Sequence, residues 1–353
     1  MNNFYNMHKN FLMGLALTLV IATLALVVAK NSWLQNHAIG ALTLAILLGI
    51  LAGNTFYPKI AGSSAHGVVF AKQRLLQLGI ILYGFRITFS DISHVGLHGA
   101  LIDALVLTST FALAWFVGHK VLKLDSNTVI LIGAGSSICG AAAVMATEPV
   151  VKGRAEQVSV AVSTVLVFGT ISMLLYPALF QWNLSWHILP TSVESFGMFT
   201  GSTVHEVAQV VAAAKPIGDV ATDTAVIEKM VRVMMLAPFL LLLSVYVARS
   251  KLPAAGNTSA HAEPNTDITI PWFAVIFVAV AGLNTLQIVP KTIVAGAISL
   301  DTLFLAMAMA ALGLCTHVSA IQKAGYKPLL LGGILFTWLI VGGAGINSLV
   351  AGG

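Results

Sequence analysis

Two stretches, LIGAGSSICGAAAVMAT from Leu131 to Thr147 and FTGSTVHEVAQVVAAA from Phe199 to Ala214, decide how this chain folds. Each sits inside an apolar segment, about 127–150 and 194–215. Each is broken at its middle by small residues and hydroxyls: Gly133-Ala134-Gly135-Ser136-Ser137 in the first, Thr200-Gly201-Ser202-Thr203 in the second. Glycine allows a turn that other residues resist, and Ser or Thr can cap the helix that follows. A helix broken inside a membrane exposes backbone N–H and C=O groups that lipid cannot satisfy. Such a break persists only where protein, water or a solute meets it.

The surrounding sequence supplies the membrane. Of 353 residues, 58% are hydrophobic and 9% charged, against about 25% charged in soluble domains. Nine apolar runs are long enough to span: 11–29, 38–56, 73–89, 97–118, 157–181, 225–248, 270–288, 292–316 and 328–350. Each is near the roughly 20 residues that cross the hydrocarbon core as a helix. The alternation of a membrane barrel is missing. The expectation is an all-α membrane protein of about nine transmembrane helices plus two re-entrant or broken-helix segments. Residues 11–29 read as a retained first span, because no small-residue cleavage site follows them.

The distribution of Lys and Arg chooses between crossing and re-entrant segments. With a cytoplasmic N-terminus and two hairpins, the inner side holds Lys9, Lys59, Lys72, Arg74, Lys120, Lys123, Lys152, Arg154, Arg249, Lys251, Lys323 and Lys327. The outer side then holds Lys30, Lys215 and Lys291. If both segments crossed, Lys152 and Arg154 would move outside. Hairpins are therefore expected, the first from the cytoplasm and the second from outside. Residues 1–250 are read as one helical bundle containing both, 251–268 as a cytoplasmic linker, and 269–353 as three helices packing in the same membrane domain.

Two internal matches suggest an inverted repeat. Gly135, Ser136, Ala142, Val144 and Ala146 align with Gly201, Ser202, Ala208, Val210 and Ala212. Gly84, Ser90, Ile92 and Gly96 align with Gly313, Ser319, Ile321 and Gly325. Under the hairpin topology both pairs have opposite orientations, as in alternating-access carriers. Two half-helix N-termini would then meet near the midplane, Ser136 or Ser137 capping the first and a Thr203-x-x-Glu206 box capping the second. Free amides and positive dipole ends make such a junction a site for an anion.

Charges inside the apolar runs complete the candidate set. Arg86 either neutralises the solute or snorkels to the interface. Lys229 and Arg232 share a helix face and either hold the solute or form a structural pair with Glu228. His205, Glu206 and Gln209 follow the second break. They either couple or gate transport, or Glu206 caps a helix and His205 donates a hydrogen bond. Asp103, Glu148, Asp301 and His317 are explained as well by interfacial solvation as by function, and stand outside the core set. The net charge of +5 is scattered, without the basic stripe of a nucleic-acid binder. Cys139 and Cys315 have no partner pattern for a disulfide or metal. No P-loop, G-x-S-x-G or H-E-x-x-H motif is present, so neither an enzyme nor a cofactor is expected.

The stretches Leu82-Tyr83-Gly84-Phe85-Arg86-Ile87-Thr88-Phe89, Gly135 to Ala141, Gly201 to Val210 and Lys229-Met230-Val231-Arg232 resemble the signatures of the YeiH-like sulfate-exporter family of bacterial inner-membrane proteins. The resemblance spans nearly the whole chain. It implies an inverted-repeat transporter akin to bile-acid and arsenite carriers. Where that family carries Asp after the hairpin His, this chain has Glu206. The expected function is secondary transport of a small anion (sulfate, a sulfonate or a similar oxyanion or carboxylate) with H+ or Na+ as coupling ion, in a bilayer and as a monomer or homodimer. The anion would lie among Gly135, Ser136, Ser137, Gly201, Ser202, Thr203, Arg86, Lys229 and Arg232. The alternatives are a passive anion channel, and a membrane sensor or enzyme subunit.

Overall fold

Helices account for nearly every position in the computed structural model, which describes residues 2–31, 40–188, 192–250, 272–316 and 325–351; no strand occurs among them. The helices are α1 Asn2–Val28, α2 Ala41–Asn54, α3 Ala65–Arg86, α4 Phe89–Val121, α5 Ser126–Ser137, α6 Ala141–Val151, α7 Ala155–Trp186, α8 Val193–Thr203, α9 Val207–Ala214, α10 Asp219–Met234, α11 Leu236–Ser250, α12 Trp272–Thr285, α13 Lys291–Leu314 and α14 Tyr326–Ala351. Seven spans among the described residues are long and apolar enough to cross a membrane. They become eight if α2 is joined to Tyr57–Ser63, bent from it by 71°. The run expected at 270–288 is represented by the 14-residue α12. Leu97, Leu242 and Val341 are among the apolar side chains that the surface leaves exposed, as a lipid-facing surface requires. The linker 251–268, His317, and Ser319 and Ile321 of the second match lie outside the described residues.

Packing groups the helices differently from chain order. Helices α1, α2, α3, α12 and α13 pack together, while α4 to α11 pack with α14. Residues 1–250 are therefore divided between two bundles, and the last three helices are shared out. In the first bundle α2 and α13 cross where Gly49 meets Gly313, so closely that an added Cβ on either would run into the other's backbone. Gly14 and Gly67 make the equivalent crossing of α1 and α3. The returning arm α9 makes the broadest contact between the bundles, against α2. The matched glycines Gly96 and Gly325 share a positive φ, +42° and +81°.

Both interrupted segments are hairpins. Asp125 caps α5 through Thr128 N at 3.0 Å. It also accepts from Gln157 Nε2 at 2.7 Å. The residue that opens the segment thus touches the helix that follows it, so the chain has returned to its starting side. Gly197 and Gly201 back onto Ala221 and Ala225, so α8 and α10 run side by side in one direction. Since α9 ends at Ala214 and α10 begins at Asp219, α9 must run back the way α8 came. The first hairpin packs on Ala161 and Val165 of α7, the second on Gly169, Tyr176 and Phe180 further along. The two hairpins therefore approach from opposite ends of α7.

Candidate functional site

The turns fall just beyond the glycine-hydroxyl runs that suggested them. The first arms continue helical to Ser137 and Thr203, and the breaks are Ile138-Cys139-Gly140 and Val204-His205-Glu206. The reason is local: Ser137 Oγ donates to Gly133 O and Thr203 Oγ1 to Phe199 O. Such back-bonding to the preceding turn keeps both residues in the helix. Neither residue caps the arm that follows, contrary to expectation. These two hydroxyl protons are committed within their own helices. Thr203 Oγ1 also accepts from Tyr176 OH at 2.8 Å, and Ser202 Oγ accepts from Asn347 Nδ2 at 3.1 Å. Gly135 sits where a Cβ would strike Val144 and Val165, and Ser136 is buried beside it.

One carboxylate serves both second arms. Glu206 is the N-cap of α9, and Gln209 Oε1 accepts from its backbone N at 3.2 Å. It also reaches across to α6, where Oε1 accepts from Ala141 N at 3.1 Å. Its counterpart in the first hairpin is Gly140, with φ +68° and a position where a Cβ would collide with Glu206 Cγ. Glycine is required there twice over, for its backbone and for the carboxylate it admits. Among the readings open for Glu206, the structure shows the cap. His205 is buried, with Nδ1 unpartnered.

The cations take the other ends. Lys229 Nζ donates to Ile138 O and to Val204 O, at 2.7 Å each. These carbonyls occupy equivalent places in the two hairpins, so the ammonium lies between matching halves of the repeat. Arg232 Nε donates to Ser137 O at 2.7 Å, and its Nη1 to Ser202 O. Lys229 and Arg232 are 0% and 1% exposed, so these are charges taken wholly out of solvent. Positive charge at helix C-termini and negative charge at N-termini is the favourable arrangement. The junction thus balances four helix ends with three charged side chains.

Other expectations are corrected. Arg86 is not at the junction: its Nε pairs with Asp301 Oδ2 at 2.9 Å and its Nη2 bonds Thr302 Oγ1 at 3.0 Å. Asp301 and Asp103 are 1% and 0% exposed, so interfacial solvation does not account for them. Glu228 makes no ion pair with Lys229 or Arg232.

Two cavities flank the junction where the bundles meet. One of about 390 Å³ is lined by Lys72, Glu148, Ser159, Ser163, Leu166 and Cys315. The other, about 160 Å³, is lined by Tyr83, Arg86, Ala212, Lys215, Thr222 and Asp301. The first lies beside the near end of α7, where the first hairpin begins and ends. The second lies where α9 ends and α10 begins. Lys72, which the sequence marks only as an orientation signal, lies on a π-helical turn of α3. π-turns often accompany function, but nothing in the sequence marks one.

The family described as conserved hypothetical protein 698 matches residues 13–332. A UPF0324 membrane protein of Pseudomonas aeruginosa is 60% identical over 336 residues, 95% of this chain and 93% of that protein. One from Yersinia pestis is 57% identical over 346 residues, 98% of this chain and 94% of the relative. The UPF0324 inner membrane protein YeiH of Escherichia coli K12 is 55% identical over 341 residues, covering 97% and 95%.

Proposed function

The chain belongs to the conserved hypothetical protein 698 family, which also takes in its YeiH-like relatives, and from that premise we propose that it is a secondary transporter of a small anion. It is a multi-pass inner-membrane protein. The observation that carries the proposal is the junction itself. Two helix N-termini converge from opposite sides on a single carboxylate, with Lys229 and Arg232 behind them. The protein already binds an anion there, and that anion is its own Glu206.

A solute carboxylate, sulfonate or sulfate has the same acceptor geometry. It takes the amides of Ala141 and Gln209 when Glu206 turns away, because positive helix ends and two fixed cations favour negative charge. The solute reaches the junction from either flanking cavity, and Lys72 on one side or Arg86 and Lys215 on the other attract it. Cavities on opposite sides of one site, at a boundary between two bundles, suit alternating access. Transport runs on a gradient, with neither an enzymatic step nor a cofactor.

The test is a thermal-shift screen of sulfate, methanesulfonate, acetate and succinate on purified protein, followed by counterflow in proteoliposomes. Glu206→Gln should strengthen the winning anion, since a weaker internal competitor is easier to displace. Uphill exchange separates a carrier from a pore. No shift with any anion, together with no counterflow, would refute the proposal.

A further inference from the structure

Beside the junction lie two buried acids that its geometry leaves unused. Asp103 of α4 and Glu228 of α10 are both 0% exposed, and none of their four carboxylate oxygens has a hydrogen-bond partner. The Glu228 carboxylate lies against Gly99, where an added Cβ would strike its Oε2. Asp103 is one turn further along the same helix. The two acids feel each other's charge, and that of Lys229 and Arg232.

The neighbouring polar groups also point to an incomplete arrangement. Arg232, one turn beyond Glu228, uses Nε and Nη1 on carbonyls, while its buried Nη2 is unpartnered. Asn347 of α14, 1% exposed, donates Nδ2 to Ser202 Oγ and to Gly343 O, and its Oδ1 is unpartnered. Around α4 and α10, helices α5 and α12 carry no titratable side chain. Those of α8, α11 and α14 (Glu194, Tyr246 and Arg249, Tyr326 and Lys327) lie toward helix ends. At the junction itself are His205 and Glu206.

An ionised carboxylate buried without a donor is costly, and two side by side more so. An added proton removes the charge and supplies a donor at once. A metal cation would instead meet Arg232 and Lys229. No cluster of three or more His, Cys, Asp or Glu able to hold a metal occurs among the described residues. We propose that Asp103 and Glu228 form the proton-coupling site, each taking up one proton from solution as a carboxylic acid and releasing it as a carboxylate.

The coupling is electrostatic and rests on the anion-transport reading above. With both acids protonated, the junction's charges are two cations and one carboxylate, which attracts an anion. With both ionised the balance turns negative, which repels one. Anion and protons therefore load together and leave together. The sequence points for coupling to His205, Glu206 and Gln209, whereas the orphaned oxygens point to Glu228, 22 residues beyond Glu206, and to Asp103 on α4.

The experiment uses full-length protein in liposomes with a trapped pH-sensitive dye and sulfate, methanesulfonate or succinate as the probe. An inward probe gradient should acidify the lumen. Glu228→Gln and Asp103→Asn should each cut that acidification by about half per probe transported, while counterflow persists. Acidification unchanged in both variants, with counterflow intact, overturns the coupling site. Probe uptake that requires Na+ and brings no acidification does the same. If no probe moves through the wild type, the anion reading fails. The infrared carbonyl band of protonated carboxylic acid, titrated with pH in detergent, then decides the protonation claim. It should weaken in either variant, and an unchanged band refutes the claim. If Glu228→Gln misfolds, Asp103→Asn alone carries both measurements.

Discussion

Replacing Lys229 by Met tests the junction most directly. The two side chains have nearly the same length, so Met fills the space without the charge. What disappears are two 2.7 Å bonds, to Ile138 O and Val204 O, at the negative ends of two helices. Each carbonyl left buried without a donor costs about 1–3 kcal/mol. Against this stands the relief of no longer burying an ammonium, itself worth several kcal/mol. The two carbonyls together cost about 2–6 kcal/mol and the lost charge about 1 kcal/mol more at each negative helix end, so after that relief the net expectation is a loss of about 1–3 kcal/mol. Chemical unfolding in detergent, followed by helical circular dichroism, reads it as a lowered midpoint. Lys215→Met is the control, because Lys215 pairs with Asp219 while 49% exposed; it should cost less than about 0.5 kcal/mol. If Lys229→Met unfolds at the wild-type midpoint, the idea that this ammonium ties the hairpins together is wrong.

Gly140→Ala should destabilise by at least about 2 kcal/mol, since its backbone is strained for any L side chain and its Cβ would displace Glu206. The same change at Gly296, on an exposed face of α13 with open space around it, should instead stabilise by about 0.5–1 kcal/mol; unfolding midpoints of the two variants compare them. Tyr176→Phe removes the bond to Thr203 and should cost about 1 kcal/mol, measured in the same way. Arg86→Met leaves Asp301 buried without its partner and should cost about 3 kcal/mol. Adding Asp301→Asn should restore part of that loss, and a double-mutant cycle measures how much.

Much of this architecture can be read without coordinates because lipid imposes simple demands. Long apolar runs must be helices, and glycine-hydroxyl runs inside them must interrupt something. The placement of Lys152 and Arg154 favoured hairpins, and the contact of Asp125 with Gln157 closes the first one. The exact turns were not legible. Ser137 and Thr203 can cap a following helix or bond back to their own, and nothing local chooses between the two. Glu206 is legible as a cap but not as a cap for the other hairpin, a contact between residues 65 positions apart. Arg86 and Asp301 are separated by 215 positions, so neither betrays the other. Asp103 was visible as a charge in an apolar run. Its complete burial depends on how α4 sits among α5, α10 and α14, which hydropathy does not encode.

The ammonium of Lys229 has a mechanical consequence. By gripping both turns at once it makes the hairpins, α7 and α10 a single rigid unit, and neither hairpin can swing open alone without stripping a buried charge of its ligands. The first bundle is likewise locked by its glycine crossings. The boundary between the two bundles, where α9 meets α2 and α12 meets α4 and α10, is then where slippage is expected. Spin labels on the two hairpins should keep their separation through the proposed transport cycle, while labels on α9 and α2 should not.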